Sequence, residues 1–158
     1  MALGVGHGVT ADEYALGQGD WIDFSSSFTL TAATTAPTKG NATYTARYTY
    51  LTPHTVYYVV KVQLAAASST FSVGSGAYRW LLPVTAANFA LQQGLLWLND
   101  SGNSERVGYC RCIDSTHLGA NYQNSAAGDP NTTALGSAGP GHAWAINDAA
   151  TLSITYEV

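Results

Sequence analysis

The sequence predicts an all-β protein, an antiparallel β-sandwich or jelly roll of about eight strands that follows a short N-terminal arm. Two long segments of alternating polar and apolar residues flank a short Thr-Pro-His-Thr link at 52–55, which is the pattern of a hairpin. Short apolar runs recur along the chain, separated by clusters of Gly, Pro, Asn and Ser. No segment shows a convincing long helical pattern, so antiparallel strands are expected to build the core.

The hairpin is the segment whose pairing the sequence predicts most clearly. Tyrosines alternate with threonines in its first strand, and every second residue from Val56 to Leu64 is apolar in its second strand. Pro53 has no N–H for a sheet ladder and suits the turn. Tyr57 stands next to Tyr58, so both faces of the second strand carry an aromatic ring. The hairpin therefore needs a second cover, from a loop of this chain or from another subunit.

The remaining elements follow in chain order. A strand is expected at 20–24 and continues at 28–31. Further strands are expected at 71–73, 78–82, 95–98 and 106–114, and at 151–158 with Leu152, Ile154, Tyr156 and Val158 inward, while 142–146 is a candidate for one more short strand. The apolar strand at 95–98 is expected to be buried and antiparallel to 106–114. Loops are expected at 32–42 and 65–69, one or two helical turns at 84–93, and a long loop, functional or clamped by a neighbour, at 115–141.

Residues 1–19 are expected to form an N-terminal arm and residues 20–158 the β-sandwich domain. The arm is rich in glycine and holds one capping-box pattern, from Thr10 to Glu13, that would begin a helical turn. A disordered terminus and an arm lying on a neighbouring subunit both fit this composition. The anchors of an ordered arm would be Val5, Val9, Tyr14 and Leu16.

Composition and charge argue against several classes of partner. Hydrophobic residues make up 46% of the chain and charged residues only 10%, so Ser, Thr, Asn and Gly supply the polar surface. The formal net charge is −4 and the basic residues form no run, so no nucleic-acid partner is expected. No apolar run approaches the ~20 residues of a membrane-spanning helix, and the N-terminus lacks the pattern of a secretory signal. The chain is expected to be made in a cytoplasm and not to insert into a membrane.

The two cysteines, Cys110 and Cys112, predict free thiols in the core. Two residues apart on a strand, their Cα atoms would lie roughly 6.5–7 Å apart, at or beyond the long limit for a disulfide. Together with Asp114 and His117 they are a candidate zinc set, but the spacing fits no standard zinc motif. Cysteines acting as small core residues are the favoured interpretation, and neither a metal nor another cofactor is expected.

The residue patterns favour a protein without catalytic activity. The sequence has no nucleophile elbow, zinc-protease motif, phosphate loop or dinucleotide fingerprint. Asp20 and Asp23 flank Trp21 as acids do in some sugar sites, although solvated surface acids explain them as well. A glycosidase would need a second, opposed acid, for which the candidates are Asp100, Glu105, Asp114 and Asp129. The four histidines, His7, His54, His117 and His142, adjoin no nucleophile pattern.

A longer-range pattern runs through GDWIDFSSSFTLTAATT, ATYTARYTYLTPHTVYYVVKVQL and FSVGSGAYRWLLPVTA. Its distinctive residues are Trp21, Phe24, Tyr44, Ala46, Arg47, Tyr48, Leu82 and Pro83. In these residues the chain resembles a family of tailed-phage virion proteins common among phages of actinobacteria, and the closing strand Ser153–Glu157 is similar as well. The segment from Leu51 to Val56 departs from the family's usual I-G-K-T-V turn.

The resemblance implies a β-sandwich that usually trimerises, on the capsid as decoration or at the tail as a receptor-binding tip. It transfers no functional residues. The expected function is a homotrimeric capsid decoration (minor capsid) protein, bound to the major capsid protein by residues 1–19. A 158-residue chain that starts at Met1 is expected to lack a trunk, which favours the capsid over the tail. The alternative is a minor tail protein that recognises a host surface glycan, and the expected location in both cases is the virion.

The aromatic residues are the strongest functional signal in the residues themselves. The chain has 10 Tyr and 4 Trp, and a strand with a ring on each face must expose or cover both rings. Such rings are typical of subunit interfaces and of sugar platforms. Few charges lie near them in the sequence, which favours the interface.

Overall fold

The computed structural model describes residues 20–102, 104–123, 132–136 and 143–158. These residues form ten strands and one 3-10 turn, Phe89–Leu91, with connecting loops. The strands are β1 (Ile22–Asp23), β2 (Leu30–Ala32), β3 (Thr43–Thr52), β4 (Thr55–Gln63), β5 (Tyr78–Leu81), β6 (Gln93–Asp100), β7 (Ser104–Cys112), β8 (His117–Gln123), β9 (Thr132–Ala134) and β10 (Ala149–Glu157). All pairings are antiparallel, so the expected all-β fold is confirmed. The expected arm, with its helical turn and its four anchors, lies outside the described residues.

The strands form one sheet that curls around the core. Their order across the sheet is β1-β3-β4-β10-β6-β7-β8-β5-β2, and β9 pairs with β8 beside this path. β1 and β2 lie at opposite ends of the order, yet only residues 24–29 separate them in the chain. From Asp23 to Leu30 the chain can span about 25 Å at most, whereas the nine strands laid flat would be about 38 Å wide. The sheet must therefore curl until its two ends approach each other, with the core on the concave face.

The central hairpin forms as expected. β3 and β4 pair along their whole length, with a register irregularity between Tyr50 and Thr52. The last strand, β10, lies between β4 and β6 and pairs with both. Leu152, Ile154 and Tyr156 of β10 are buried, as the alternation predicts. The C-terminal strand is thus the link between the two hairpins, β3–β4 and β6–β7.

Aromatic side chains from distant parts of the sheet meet inside the curl. The ring of Phe28 lies 5.3 Å from that of Tyr44 and 6.0 Å from that of Trp80, measured between centroids. The hydroxyl of Tyr58 on β4 donates to the backbone carbonyl of Leu81 on β5 over 3.0 Å. Since β4 and β5 are far apart in the strand order, these contacts tie the two sides of the curl together across the core.

The expectation of one long loop at 115–141 is wrong. Both β8 and β9 lie within this range. Leu118, Ala120 and Tyr122 of β8 are buried on the core face. Between them stand Gly119 and Asn121, which give the segment the composition of a loop and hide its alternation. The apolar residues at every second position determine that this segment is a strand, even though its overall composition is that of a loop.

Three shorter elements also differ from expectation. Only an isolated bridge at Ser72 remains of the strand at 71–73, since Gly74 and Gly76, with φ of 62° and 89°, turn the chain. The described residues 143–146 contain no strand, because the amide of Ala145 donates to the Asp148 carboxylate instead of to a ladder. The helical turns expected at 84–93 are reduced to the single 3-10 turn.

Replacing Tyr58 by Phe tests whether its cross-core hydrogen bond stabilises the curl. The ring stays, but the Leu81 carbonyl loses its donor. We expect the free energy of unfolding to fall by about 1–2 kcal/mol in urea denaturation, because a polar group at the core loses its partner.

Tyr57→Phe is the matched control at the adjacent position, on the opposite face of β4. Its hydroxyl makes no hydrogen bond with the described residues, so the loss should stay within about 0.5 kcal/mol. Equal losses in the two variants would contradict a specific role for the Tyr58 hydroxyl.

Candidate functional site

An apolar cluster lies on the outer face of the sheet, the side away from the core. We define this outer cluster as Leu95 and Trp97 of β6 with Val107 and Tyr109 of β7. Trp97 stands directly opposite Val107, and Leu95 directly opposite Tyr109. Opposed side chains on one face of an antiparallel pair have Cβ atoms about 5 Å apart, so the four form one continuous patch.

Much of the outer cluster is open to solvent. Leu95 is 64% exposed, Trp97 43% and Val107 68%. On the β10 side, Ser153 lies opposite Leu95 and Thr151 opposite Trp97, so the border on that side consists of short hydroxyl groups. Along β7, the exposed charged residues Glu105 and Arg111 border the cluster on the same face, next to Val107 and Tyr109. An exposed apolar patch with a polar rim is typical of a protein interaction surface.

Sequence reasoning missed this surface because it expected 95–98 to be buried. The expectation is half wrong: Leu96 and Leu98 are fully buried, whereas Leu95 and Trp97 face outward. A continuous apolar run shows that a strand has one buried face, but it does not show whether the other face has a cover. No pattern in the run itself distinguishes the two cases.

A second aromatic group covers the outer face of the hairpin. The Trp21 ring lies 5.6 Å from the Tyr57 ring, and the Arg47 guanidinium lies 4.4 Å from the Trp21 ring centroid. Thr49, on the same face of β3, is only 6% exposed. Part of the second cover that the hairpin requires therefore comes from this chain. Trp21 itself keeps 41% of its surface exposed and can still contact another molecule.

Of the acids proposed as a sugar-site pair, Asp20 lies two residues before β1 and Asp23 ends β1, and both are exposed. Hydrogen bonding to Ser25 lowers the pKa of Asp23 below its ordinary value. Glu105 is exposed on β7, which four strands separate from β1, so it does not oppose them. Asp129 lies outside the described residues.

Two other acids are buried and have structural partners. Asp100 forms an ion pair with Arg106, with a shortest N–O distance of 3.6 Å. Asp148, which sequence reasoning missed, is fully buried and accepts hydrogen bonds from the amides of Ser101 at 2.8 Å and Ala145 at 2.7 Å. These bonds join the turn after β6 to the turn before β10, so Asp148 holds two loops in place.

The candidate zinc ligands do not come together. Cys110 and Cys112 are free thiols buried on the core face of β7, as the sequence predicts. The Cys110 thiol lies 3.4 Å from the carbonyl oxygen of Leu95, within hydrogen-bonding distance. Asp114 and His117 lie at the turn between β7 and β8. Among the residues the structure describes, no three potential metal ligands form a group.

The turn after β7 contains a Thr, a His and an Asp, but in the wrong arrangement for a catalytic triad. The Thr116 hydroxyl lies 2.9 Å from His117 Nδ1, and the Asp114 carboxylate lies 3.1 Å from the same nitrogen. A triad needs the acid on one ring nitrogen and the nucleophile on the other. Burial raises the pKa of Asp114, but hydrogen bonds from Thr116 and His117 outweigh it and leave the pKa below its ordinary value. The network stabilises the turn.

Of the other histidines, only His54 lies among the described residues. His54 lies in the hairpin turn, where its carbonyl accepts a hydrogen bond from the amide of Val158. His7 and His142 lie outside the described residues.

Comparisons of the chain with protein-family models, with curated proteins and with solved structures found no match. The resemblance to phage virion proteins therefore stays a prediction from the sequence. Within the described ranges, no helix has the length and apolar character needed to cross a membrane.

The thiols should be unreactive in the native protein. Burial raises the pKa of Cys110 to about 12 and that of Cys112 to about 11, and the thiolate is the reactive form. At pH 8 we expect little reaction with a thiol-specific disulfide reagent, and a rate that rises as the pH approaches 11. In denaturant at pH 8 both thiols should react at once. Rapid reaction of two thiols in the native protein at pH 8 would contradict their burial.

Proposed function

We propose that this chain is a non-enzymatic structural protein of a tailed-phage virion, a homotrimeric capsid decoration protein that residues 1–19 attach to the shell. The outer cluster is the observation that carries the assembly part of the proposal. The phage assignment, the trimer and the attachment by residues 1–19 rest on the sequence resemblance. The scarcity of charge, 10% of residues, supports a surface designed to pack against other proteins.

The outer cluster can supply useful binding energy. Fully burying a Leu, Val or aromatic side chain contributes about 1.5–3 kcal/mol. Leu95, Trp97 and Val107 keep between 43% and 68% of their surface exposed, which leaves roughly 1 kcal/mol per residue for a contact with another chain. A symmetric trimer repeats that contribution at every subunit contact.

A minor tail protein that recognises a host surface glycan is the second candidate. The partly exposed ring of Trp21, which contacts both Tyr57 and Arg47, favours it. An aromatic face fixed by neighbours can stack on the apolar face of a sugar ring without first being ordered. This candidate needs the Trp21 ring to be free in the assembled particle, whereas the decoration protein does not.

Imaging of the particle tests the location directly. The phage that encodes this chain is grown, and its particles are purified and reconstructed by cryo-electron microscopy. We expect density for the chain in trimers on the shell. Density at the tail tip would favour the minor tail protein over the capsid decoration protein. Particles that lack the chain altogether would overturn both proposals.

Replacing Trp97 by Ser tests the outer cluster in solution. The side chain is half exposed, so the variant should fold normally but lose its contact with a second subunit. We expect subunit association, measured by sedimentation equilibrium, to weaken about tenfold or more.

Leu91→Ser is the control, since Leu91 is 81% exposed but lies on the 3-10 turn, outside the outer cluster. It should leave association unchanged. A wild-type chain that stays monomeric and does not bind assembled shells, or two variants with equal effects, would count against the proposal.

A further inference from the structure

Strand β8 changes its partner halfway along one edge, and the change leaves a groove. His117 and Leu118 pair with β5, whereas Asn121 to Gln123 pair with β9. At the fork, around Gly119 and Ala120, the structure has a groove with a volume of about 190 Å³. The groove belongs to neither the outer cluster nor the Trp21 group.

Two arginines face each other across this groove. Arg111 of β7 pairs directly with Gly119, and Arg79 of β5 lies one residue beyond the pair Trp80↔Leu118, beside Gly119 on its other edge. Their Cα atoms are therefore separated by two strand spacings, about 9.6 Å. Both side chains line the groove and are exposed, and neither forms a salt bridge with a described residue.

The side chain of Ile113 packs over Gly119 between the two arginines. A Cβ at Gly94 or Gly108 would approach the backbone oxygen of a neighbouring strand to within 2.2 or 2.1 Å, so the packing of strands explains those glycines. A Cβ at Gly119 would lie 2.7 Å from the side chain of Ile113, so the packing of Ile113 explains this glycine. Ile113 also lines the groove and gives it an apolar surface between Arg79 and Arg111.

The rest of the lining is apolar, with one polar group. Ala33, Ala77, Ala134 and Ile113 contribute small apolar walls. Asn121 donates one amide N–H to the Tyr109 hydroxyl over 2.8 Å, which leaves its second N–H for another acceptor. A concave, mostly apolar site with a few converging donors is the usual form of a small-molecule site.

Two of the few basic side chains of the chain lie together in this groove. The chain has only 6 basic residues against 10 acidic ones. Among the described residues, Arg106 pairs with Asp100, while Lys39 and Arg47 lie over the rings of Tyr44 and Trp21. Two of the remaining three, Arg79 and Arg111, share this groove.

We propose that the groove binds a small organic anion, with one carboxylate or phosphate group between the Arg79 and Arg111 guanidinium groups and a neutral body of about hexose size against the apolar walls. Guanidinium groups bind such oxyanions through paired, charge-assisted hydrogen bonds. Both side chains line the groove, so both guanidinium groups can reach a ligand that lies in it. This inference does not depend on the proposed virion function, because ligand binding is measured on the purified chain.

The test is a titration of the ¹⁵N-labelled chain, followed by NMR, with glucuronate, glucose 6-phosphate and glucose as probes. We expect saturable shifts at the amides of Gly119 and Asn121 with at least one of the two anions and none with glucose. Binding of glucuronate would assign a carboxylate ligand, and binding of glucose 6-phosphate alone a phosphate ligand. Arg79→Gln and Arg111→Gln should each weaken binding about tenfold or more.

Lys61→Gln removes the same charge from β4, outside the groove, and should change the affinity less than about twofold, as expected for a screened distant charge. All three positions are polar and at least partly exposed, and melting temperatures check that each variant folds. No saturable shift with either anion, equal response to glucose, or an equal effect of Lys61→Gln would overturn the proposal.

Discussion

The segment 24–29 sets the shape of the molecule, because it joins two strands that lie at opposite ends of the sheet order. A segment of that length cannot cross a flat sheet of nine strands, so the sheet has to curl. The curl places the aromatic rings of β3, β4 and β5 opposite one another and excludes water from between them. Cross-core contacts such as that of Tyr58 with Leu81 are possible only in this shape. The core, the buried thiols and the division into two faces all follow from it.

The two faces of the sheet differ in how completely this chain covers them. The concave face buries its side chains without help from another molecule. On the outer face Trp21 covers the hairpin around Tyr57, but β6 and β7 keep Leu95, Trp97 and Val107 open to solvent. The outer face carries few charged residues, among them Arg47, Lys61 and Glu105. Two further cations, Arg79 and Arg111, line the groove, and Arg111 lies two residues along β7 from Tyr109 of the outer cluster.

The sequence predicts the parts of this fold that local alternation controls. The hairpin 43–64, the strand that ends in Tyr156 and the free thiols follow from period and spacing alone. β8 was missed because Gly119 and Asn121 interrupt its apolar residues, and the exposure of Leu95 and Trp97 was missed because a continuous apolar run has no visible outer face. Arg79 and Arg111 become neighbours only because both flank β8. Such a pairing depends on strand order, which alternation leaves open.

The position of β10 has a consequence for how the protein is made. It is the last in sequence of the ten strands that the structure describes, yet it lies in the middle of the sheet between β4 and β6. While the ribosome still holds it, the earlier hairpins can form but cannot be joined. Until then, β4 and β6 each present an unpaired strand edge, and edges of this kind pair with one another and aggregate. Folding is therefore a late, nearly all-or-none event, and chaperones that shield strand edges during translation would raise the yield of soluble protein.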